Sequence, residues 1–508
     1  MSVVRSYTRG VNLDEYLAAD ATDLAALVAD KQVTAAELLA LARQRADQVN
    51  PKINAVVRTL DDEADSRAAE PLTGPFAGVP FLVKDLLQEY AGFPTTSGSH
   101  ALANDVAEEH AVVTQRFLDA GLVVFGKTNT PEFGAKGITE DDLLGRARNP
   151  WNVAHTPGGS SGGSGAAVAA GIVPAAGAND GGGSVRIPAA CNGLVGLKLS
   201  RGYTPYGPQT SEPMFGMATQ GVVSRTVRDS AALVDAIVGA PTRYAAYVAG
   251  TPAPFLPGLG EAPARLRIGF TTSSAINPSP DPEAIAAVES AAALLTELGH
   301  EVEAVEAPHD DEALARDFLT IWFAQLYGQI SAIKTRLGAP DSAFAADSLA
   351  VAEIGRAAGV GALFGALDNA NLHIRALEDF HQRYDLLLTP TLAKPPLEVG
   401  SIDTPPMLQR ASRVIAKVRA GKLLNATGIL DQLITDNLGW VPYTQLANIT
   451  GRPAISVPLH WTATGLPLGV QLVGPLASDG LLLRLAAQLE QARPWFHRYA
   501  ELDPALTA

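Results

Sequence analysis

Three short segments of this chain carry residue types that can do chemistry. Lys84 follows the apolar run Phe81-Leu82-Val83 and precedes Asp85. A lysine at a strand end is ordinarily just solvated, but a desolvated amine can serve as a base. The second segment, Thr156-Pro157-Gly158-Gly159-Ser160-Ser161-Gly162-Gly163-Ser164-Gly165, opens onto the helix-prone Ala166-Ala167-Val168-Ala169-Ala170. It offers hydroxyl nucleophiles, and it equally suits a plain loop or an anion-binding helix N-terminus. The third, Asn179-Asp180-Gly181-Gly182-Gly183-Ser184-Val185-Arg186-Ile187-Pro188-Ala189, sets a serine in bare backbone between opposite charges. Read alone, it is a tight turn next to a buried ion pair. Residues 157–196 hold twelve glycines and only two charges, Asp180 and Arg186. Something there needs bare backbone in an uncharged setting.

Other chemistries fit less well. A P-loop closes its glycines with a Lys-Ser/Thr pair, and no lysine lies between Lys136 and Lys198. The nearest dinucleotide pattern, Gly359-Val360-Gly361 to Gly365, is one residue too long. Gly159-Ser160-Ser161-Gly162-Gly163 formally fits G-x-S-x-G, with Ser161 as an elbow nucleophile. That elbow must follow a buried strand, and residues 151–157 make a poor one. Ser331-Ala332-Ile333-Lys334 fits S-x-x-K but has no S-D-N or K-T-G partner downstream. The nine histidines form no H-E-x-x-H, and one cysteine, Cys191, builds no zinc framework. The sequence asks for no metal and no cofactor.

The elements that must position these segments alternate between strand and helix. Residues 12–70 read as helical, with Asp23 and Thr34 standing as N-caps and Glu37 completing a capping box with Thr34. Residues 79–83 and 122–125 read as strands around a helix at 110–120. The expected helices continue at 224–238, 281–298, 311–380 and 480–491, with strands at 266–270, 384–391, 454–458 and 469–474. Residues 240–265 carry five prolines and read as a surface connection. The alternation predicts an α/β layered fold. Its organisation is a helical region over 1–70, then a core over 71–495 with a mostly helical insertion around 311–380, all one structural domain.

Composition sets outer bounds. The 508 residues include 38 Lys+Arg against 53 Asp+Glu, a net charge of −15, with 47% hydrophobic residues. This is a globular composition, and an acidic balance without a basic cluster argues against a nucleic-acid partner. Cys191 alone forbids an internal disulfide and fits a reducing compartment. Met1-Ser2-Val3-Val4-Arg5-Ser6-Tyr7 holds no apolar run of signal-peptide length, and the near-apolar residues 166–178 are broken by Gly171, Pro174 and Gly177. The expectation is a cytoplasmic protein with no membrane span. A homodimer is left open.

Taken together, the three segments resemble the amidase signature family of amide hydrolases. The resemblance rests on Lys84 after its apolar run, the first serine of GGSSGG, and the serine of D-x-GGS-V-R-x-P, with the serines 24 residues apart. It extends from about residue 20 to 490. It takes in Gly126-Lys127-Thr128-Asn129, Asn149-Pro150-Trp151-Asn152, Gly193-Leu194-Val195-Gly196-Leu197-Lys198 and Pro453-Ala454-Ile455-Ser456-Val457-Pro458. It implies a central mixed β-sheet flanked by helices on both faces, and a triad of Lys84, Ser160 and Ser184. In that family Ser160 would follow a cis peptide bond and relay a proton between Lys84 and Ser184. Gly181, Gly182 and Gly183, with the Ser184 amide, would hold the oxyanion. Ser161, Asp180 and Arg186 would support the site.

The Asn-Asp-Gly-Gly-Gly-Ser variant is similar to bacterial hydrolases of nylon oligomers, aryl amides and carbamates. The implied activity is a serine amidohydrolase working through an acyl-enzyme on Ser184. An esterase or urethanase would use the same triad. The glutaminase subunit of a tRNA-dependent amidotransferase is a further alternative, although Ile187 stands where that branch usually has Gln. The partner is a small neutral or apolar amide or carbamate, since no basic cluster near the motifs calls for an anion. Met214, Phe215, Trp322 and Phe323 are either pocket or core.

The physics suits the implied chemistry. Serine is a weak nucleophile until a base takes its proton. A free lysine, with a pKa of about 10.4, is almost wholly protonated at neutral pH, so this base must be desolvated. The apolar flank of Lys84 meets that demand.

Overall fold

The computed structural model describes residues 11–239, 242–419, 421, 434, 435, 438–502 and 506. The start of the expected helical region and Pro241 of the expected connection lie outside them. Among the described residues eleven strands form one sheet, ordered β1-β3-β2-β4-β6-β5-β10-β11-β9-β7-β8. In chain order the strands are β1 (Val56–Thr59), β2 (Pro80–Lys84), β3 (Val123–Thr128), β4 (Ala175–Asp180), β5 (Val195–Lys198) and β6 (Thr219–Ser224). The second half supplies β7 (Arg267–Phe270), β8 (Glu301–Ala304), β9 (Leu386–Pro390), β10 (Ala454–Val457) and β11 (Val470–Val473). β2 runs parallel to β3 and β4, while β4, β6, β5, β10, β11 and β9 pair antiparallel in turn. The sheet is mixed, as the resemblance implied. Every residue of β2–β6 and β9–β11 is buried, so both faces are covered.

The helices follow from capping and patterning. α1 (Leu13–Ala18), α2 (Ala21–Ala29) and α3 (Ala35–Ile53) open the described chain. Thr34 and Glu37 form the reciprocal capping box that the sequence predicts. α2 starts earlier than expected: its N-cap is Asp20, whose carboxylate accepts from the Asp23 amide. α4 (Asp61–Ala68) and α5 (Val112–Asp119) follow, then the short, small-residue α6 (Gly162–Ala169) and α7 (Arg186–Asn192). α8 (Val227–Ile237) and α9 (Pro282–Glu297) lead to the long pair α10 (Asp311–Leu337) and α11 (Ala346–His381). α12 (Pro406–Val418), α13 (Gln445–Thr450) and α14 (Asp479–Ala492) follow among the described residues. α11 contains one stretch apolar enough by composition to cross a bilayer, with mean hydropathy 1.4. It packs against α10 and breaks at Gly359.

Several elements differ from the sequence reading. Residues 56–59 form a strand on β3 inside the region read as helical, and β8 was likewise unread. β4, β5 and β6 escaped too, because Ala, Gly, Gln and Lys fill much of them in place of β-branched residues. The helix expected from 224 begins at Val227, since Ser224 ends β6 and Thr226 caps the helix.

Candidate active site

The C-terminal ends of the parallel neighbours β2 and β4 carry Lys84 and Asp180, so both chemistry-bearing loops leave the same edge of the sheet. This is where open α/β sheets bind ligands. Among the described residues three lysines are fully buried, Lys84, Lys127 and Lys198. Lys198 Nζ donates to the Leu199 and Arg452 carbonyls, and Lys127 Nζ to Pro94 O and Thr95 Oγ1. Lys84 Nζ reaches the serine segments, donating to Ser160 Oγ at 2.7 Å and to Asn179 Oδ1 at 2.8 Å. Burial holds its amine well below the ordinary lysine value, against the opposing pull of the Asp180 charge. The Gly159–Ser160 peptide is cis. Gly134, with φ +66°, backs this serine; a Cβ there would stand 3.0 Å from Ser160 Oγ and 2.8 Å from Leu86 Cδ2. Only bare backbone fits.

Ser161 is buried, and its hydroxyl donates to Asn179 O at 3.3 Å. No strand precedes it, so the elbow geometry is missing. The S-x-x-K alternative falls on the solvent side of α10, where Lys334 pairs with Asp341 at 2.6 Å.

Ser184 stands on the turn between β4 and α7, 6% exposed, and its hydroxyl takes no hydrogen-bond partner among the described residues. Asp180 shapes that turn. Its carboxylate accepts from the amides of Gly183 at 2.7 Å and Val185 at 3.2 Å. Arg186 binds both its oxygens, at 2.9 and 3.0 Å, and Asn448 Nδ2 adds a bond at 2.9 Å. Burial alone would raise this carboxyl; Arg186, Asn448 and the charge of Lys198 overcome it and hold Asp180 well below the usual carboxylate range. That stability is present above the unfolded value of about 3.9 and is lost as pH falls through the folded one. Arg186 also donates to Thr444 O at 2.8 Å and to Gln471 Oε1 and Asn448 Oδ1, both at 2.6 Å.

Breaking a buried pair of this kind costs about 3–5 kcal/mol. Arg186→Leu is therefore expected to lower the urea midpoint by that equivalent; an unchanged midpoint would remove Arg186 from the framework.

The turn corrects one expectation. Gly183 does not offer a free amide, because Asp180 takes it. The amides of Gly181, Gly182 and Ser184 have no partner among the described residues and remain open. The Gly182 carbonyl is pinned from the other side by Thr444 Oγ1 at 2.7 Å and Gln445 Nε2 at 3.2 Å.

An apolar wall faces this turn. A Cβ at Gly181 would lie 2.8 Å from Met214 Sδ and 3.6 Å from Trp322, and one at Gly182 would lie 2.6 Å from Phe318 Cζ. Phe318 and Trp322 sit four residues apart on α10, with ring centroids 5.4 Å apart. Met214 and Trp322 thus both stand beside Gly181. Phe323 does not: it is buried where α10 meets α11 at Gly355, a helix-helix contact one residue round from Trp322. Phe215 is 40% exposed and stands at the surface. Sequence reasoning missed Phe318, which the i, i+4 spacing with Trp322 could have revealed. It also missed Asn179, Thr444, Gln445, Asn448 and Gln471.

Comparison with known proteins agrees with this geometry. The Amidase family model matches residues 37–483. The chain is 37% identical over 492 residues to the 6-aminohexanoate-cyclic-dimer hydrolase of Pseudomonas sp. (strain NK87), covering 95% of this chain and 96% of that one. The solved structure of a 6-aminohexanoate cyclic dimer hydrolase complexed with substrate superposes with a TM-score of 0.86 at 35% identity, covering 96% of this chain and 99% of that one. A bacterial aryl acylamidase of the amidase signature family gives a TM-score of 0.80 at 27% identity, covering 95% and 98%. With a family model spanning every described strand of the sheet and relatives aligned over nearly their whole length, the chain belongs to the amidase signature family.

Proposed function

We propose that this enzyme cleaves a neutral carboxamide by way of an acyl-enzyme on Ser184, with Ser160 and Lys84 moving the proton. The observation that supports it most is the buried Lys84 amine, held low by desolvation and 2.7 Å from Ser160 Oγ. In this reading the Ser184 proton passes to Ser160 Oγ as the Ser160 proton passes to Lys84 Nζ. Ser184 Oγ bonds to the carbonyl carbon, and the open amides of Gly181, Gly182 and Ser184 receive the oxyanion. The same relay returns the proton to the amide nitrogen as the C–N bond breaks. Water then attacks the acyl-enzyme and gives a proton to the relay, which returns it to Ser184 Oγ as the acyl–oxygen bond breaks and the acid leaves. The cyclic and aryl amides named for the relatives suit a wall of Met214, Phe318 and Trp322, which carries no charge. The chain acts as one structural domain, with α10 as the part of the helical insertion that walls the site. Lone, buried Cys191 suits work in the cytoplasm.

The test is a fluorophosphonate label on wild type and Ser184→Ala, followed by an amide, ester and carbamate panel. Labelling confined to wild type and turnover of amides are expected. Labelling that persists in Ser184→Ala removes the nucleophile, and turnover of esters alone makes the enzyme an esterase.

The apolar wall yields a separate expectation. Gly182→Ala drives a methyl into Phe318, and overpacking costs about 1–3 kcal/mol. We expect a fall of roughly tenfold in kcat/KM, partly recovered in the Gly182→Ala/Phe318→Ala pair. A pair that shows no recovery would separate the ring from the turn.

A further inference from the structure

The geometry points to Asn179 as a positioning residue that aims the Lys84 amine at Ser160. This rests on the proposed Ser184–Ser160–Lys84 relay and adds a member to it. Asn179 is the residue before Asp180 on β4, and it is 4% exposed. Its Nδ2 donates to the Leu86 carbonyl at 2.7 Å, on the same segment as Lys84. A carbonyl can only accept, so the amide has one allowed orientation and Oδ1 must face Lys84 Nζ at 2.8 Å.

A neutral amine has two N–H groups and one lone pair. With one N–H held by Asn179 Oδ1, the lone pair is free to be presented to the Ser160 hydroxyl 2.7 Å away. When Lys84 gains the Ser160 proton, the same Oδ1 still accepts from the ammonium, so no partner need be exchanged during the step. The carboxamide brings no charge of its own. Around Lys84 the electrostatic neighbour is Asp180, which Arg186 neutralises through two bonds. Gln88 Oε1 binds the Lys84 backbone amide, and Asp85 faces Lys127 at 3.7 Å instead. Lys84 is thus gripped from both ends, and among the described residues only Asn179 grips the amine without serving as a proton carrier.

The experiment follows the rate of Ser184-dependent fluorophosphonate labelling, and kcat/KM on an amide, from pH 5 to about 10 in wild type, Asn179→Asp and Asn179→Leu. Asn179→Asp keeps the size but sets a carboxylate against the amine, at the cost of the bond to Leu86. We expect its acid limb to move up by at least one pH unit, with the rate recovering at alkaline pH. Asn179→Leu is expected to label at least tenfold more slowly at every pH, with kcat falling and KM unchanged. Wild-type labelling that depends on Ser184, combined with unmoved limbs and plateaus in both variants, overturns the role of Asn179 alone. Labelling that survives Ser184→Ala overturns the relay itself. If one variant fails to fold by circular dichroism, the other decides.

Discussion

Ser184→Ala is expected to lower kcat on an amide by roughly 10⁶-fold, the scale on which serine hydrolases lose activity when the nucleophile is removed. The size of the effect follows from what remains. The open amides and the apolar wall would still bind substrate, so KM should change little while the covalent route disappears. Far-UV circular dichroism and thermal melting should match wild type, because the hydroxyl of Ser184 makes no hydrogen bond among the described residues. A Ser184→Ala enzyme that retains more than about a hundredth of its activity would mean that another group attacks the carbonyl.

Lys84→Met is expected to be nearly as damaging, by about 10⁴-fold or more, because it removes the proposed base while leaving Ser184 in place. Its pH behaviour is more informative than its size. Wild-type activity should rise with pH through the depressed value of the buried amine, since only the neutral form can accept a proton. Methionine has nothing to titrate there, so the residual activity should lose that limb. Wild-type stability should move in the same direction as its activity. Between the folded-state value and the unfolded value of about 10.4, the unfolded chain binds a proton that the folded chain refuses. Wild type is therefore penalised progressively as pH falls through that window, and the penalty levels off below the folded-state value. Thermal melts should show the gap between Lys84→Met and wild type shifting in the variant's favour as pH is lowered from 10. A gap independent of pH would mean that Lys84 is not desolvated.

What the sequence made legible was local or carried by motif. The capping box of Thr34 and Glu37 lies within three residues, and the strand leading to Lys84 is a run of large apolar side chains. The segments around Ser160 and Ser184 were conspicuous because glycine and serine crowd them. What escaped notice lies far apart in the chain. Asn179 meets Lys84 across 95 residues, and Thr444 meets Gly182 across 262, with no periodicity to announce either contact. Strands built from Ala and Gly, such as β4, are recognised by the packing that surrounds them rather than by their own residues. Phe323 adjoins Trp322 in sequence but not on the helix face, which Trp322 shares instead with Phe318 four residues away.

The framework around Asp180 and Arg186 also bears on when the enzyme becomes active during its own synthesis. β2, β4 and the turn holding Ser184 leave the ribosome well before residues 444–471. Yet Arg186 finds Thr444, Asn448 and Gln471 only once those late residues have emerged, and the Gly182 carbonyl waits for Thr444 and Gln445. A chain that stopped before those residues would hold Ser184 without the clamp that shapes the turn around it. The turn around Ser184 thereby gains its full set of contacts only after residue 471 has been made.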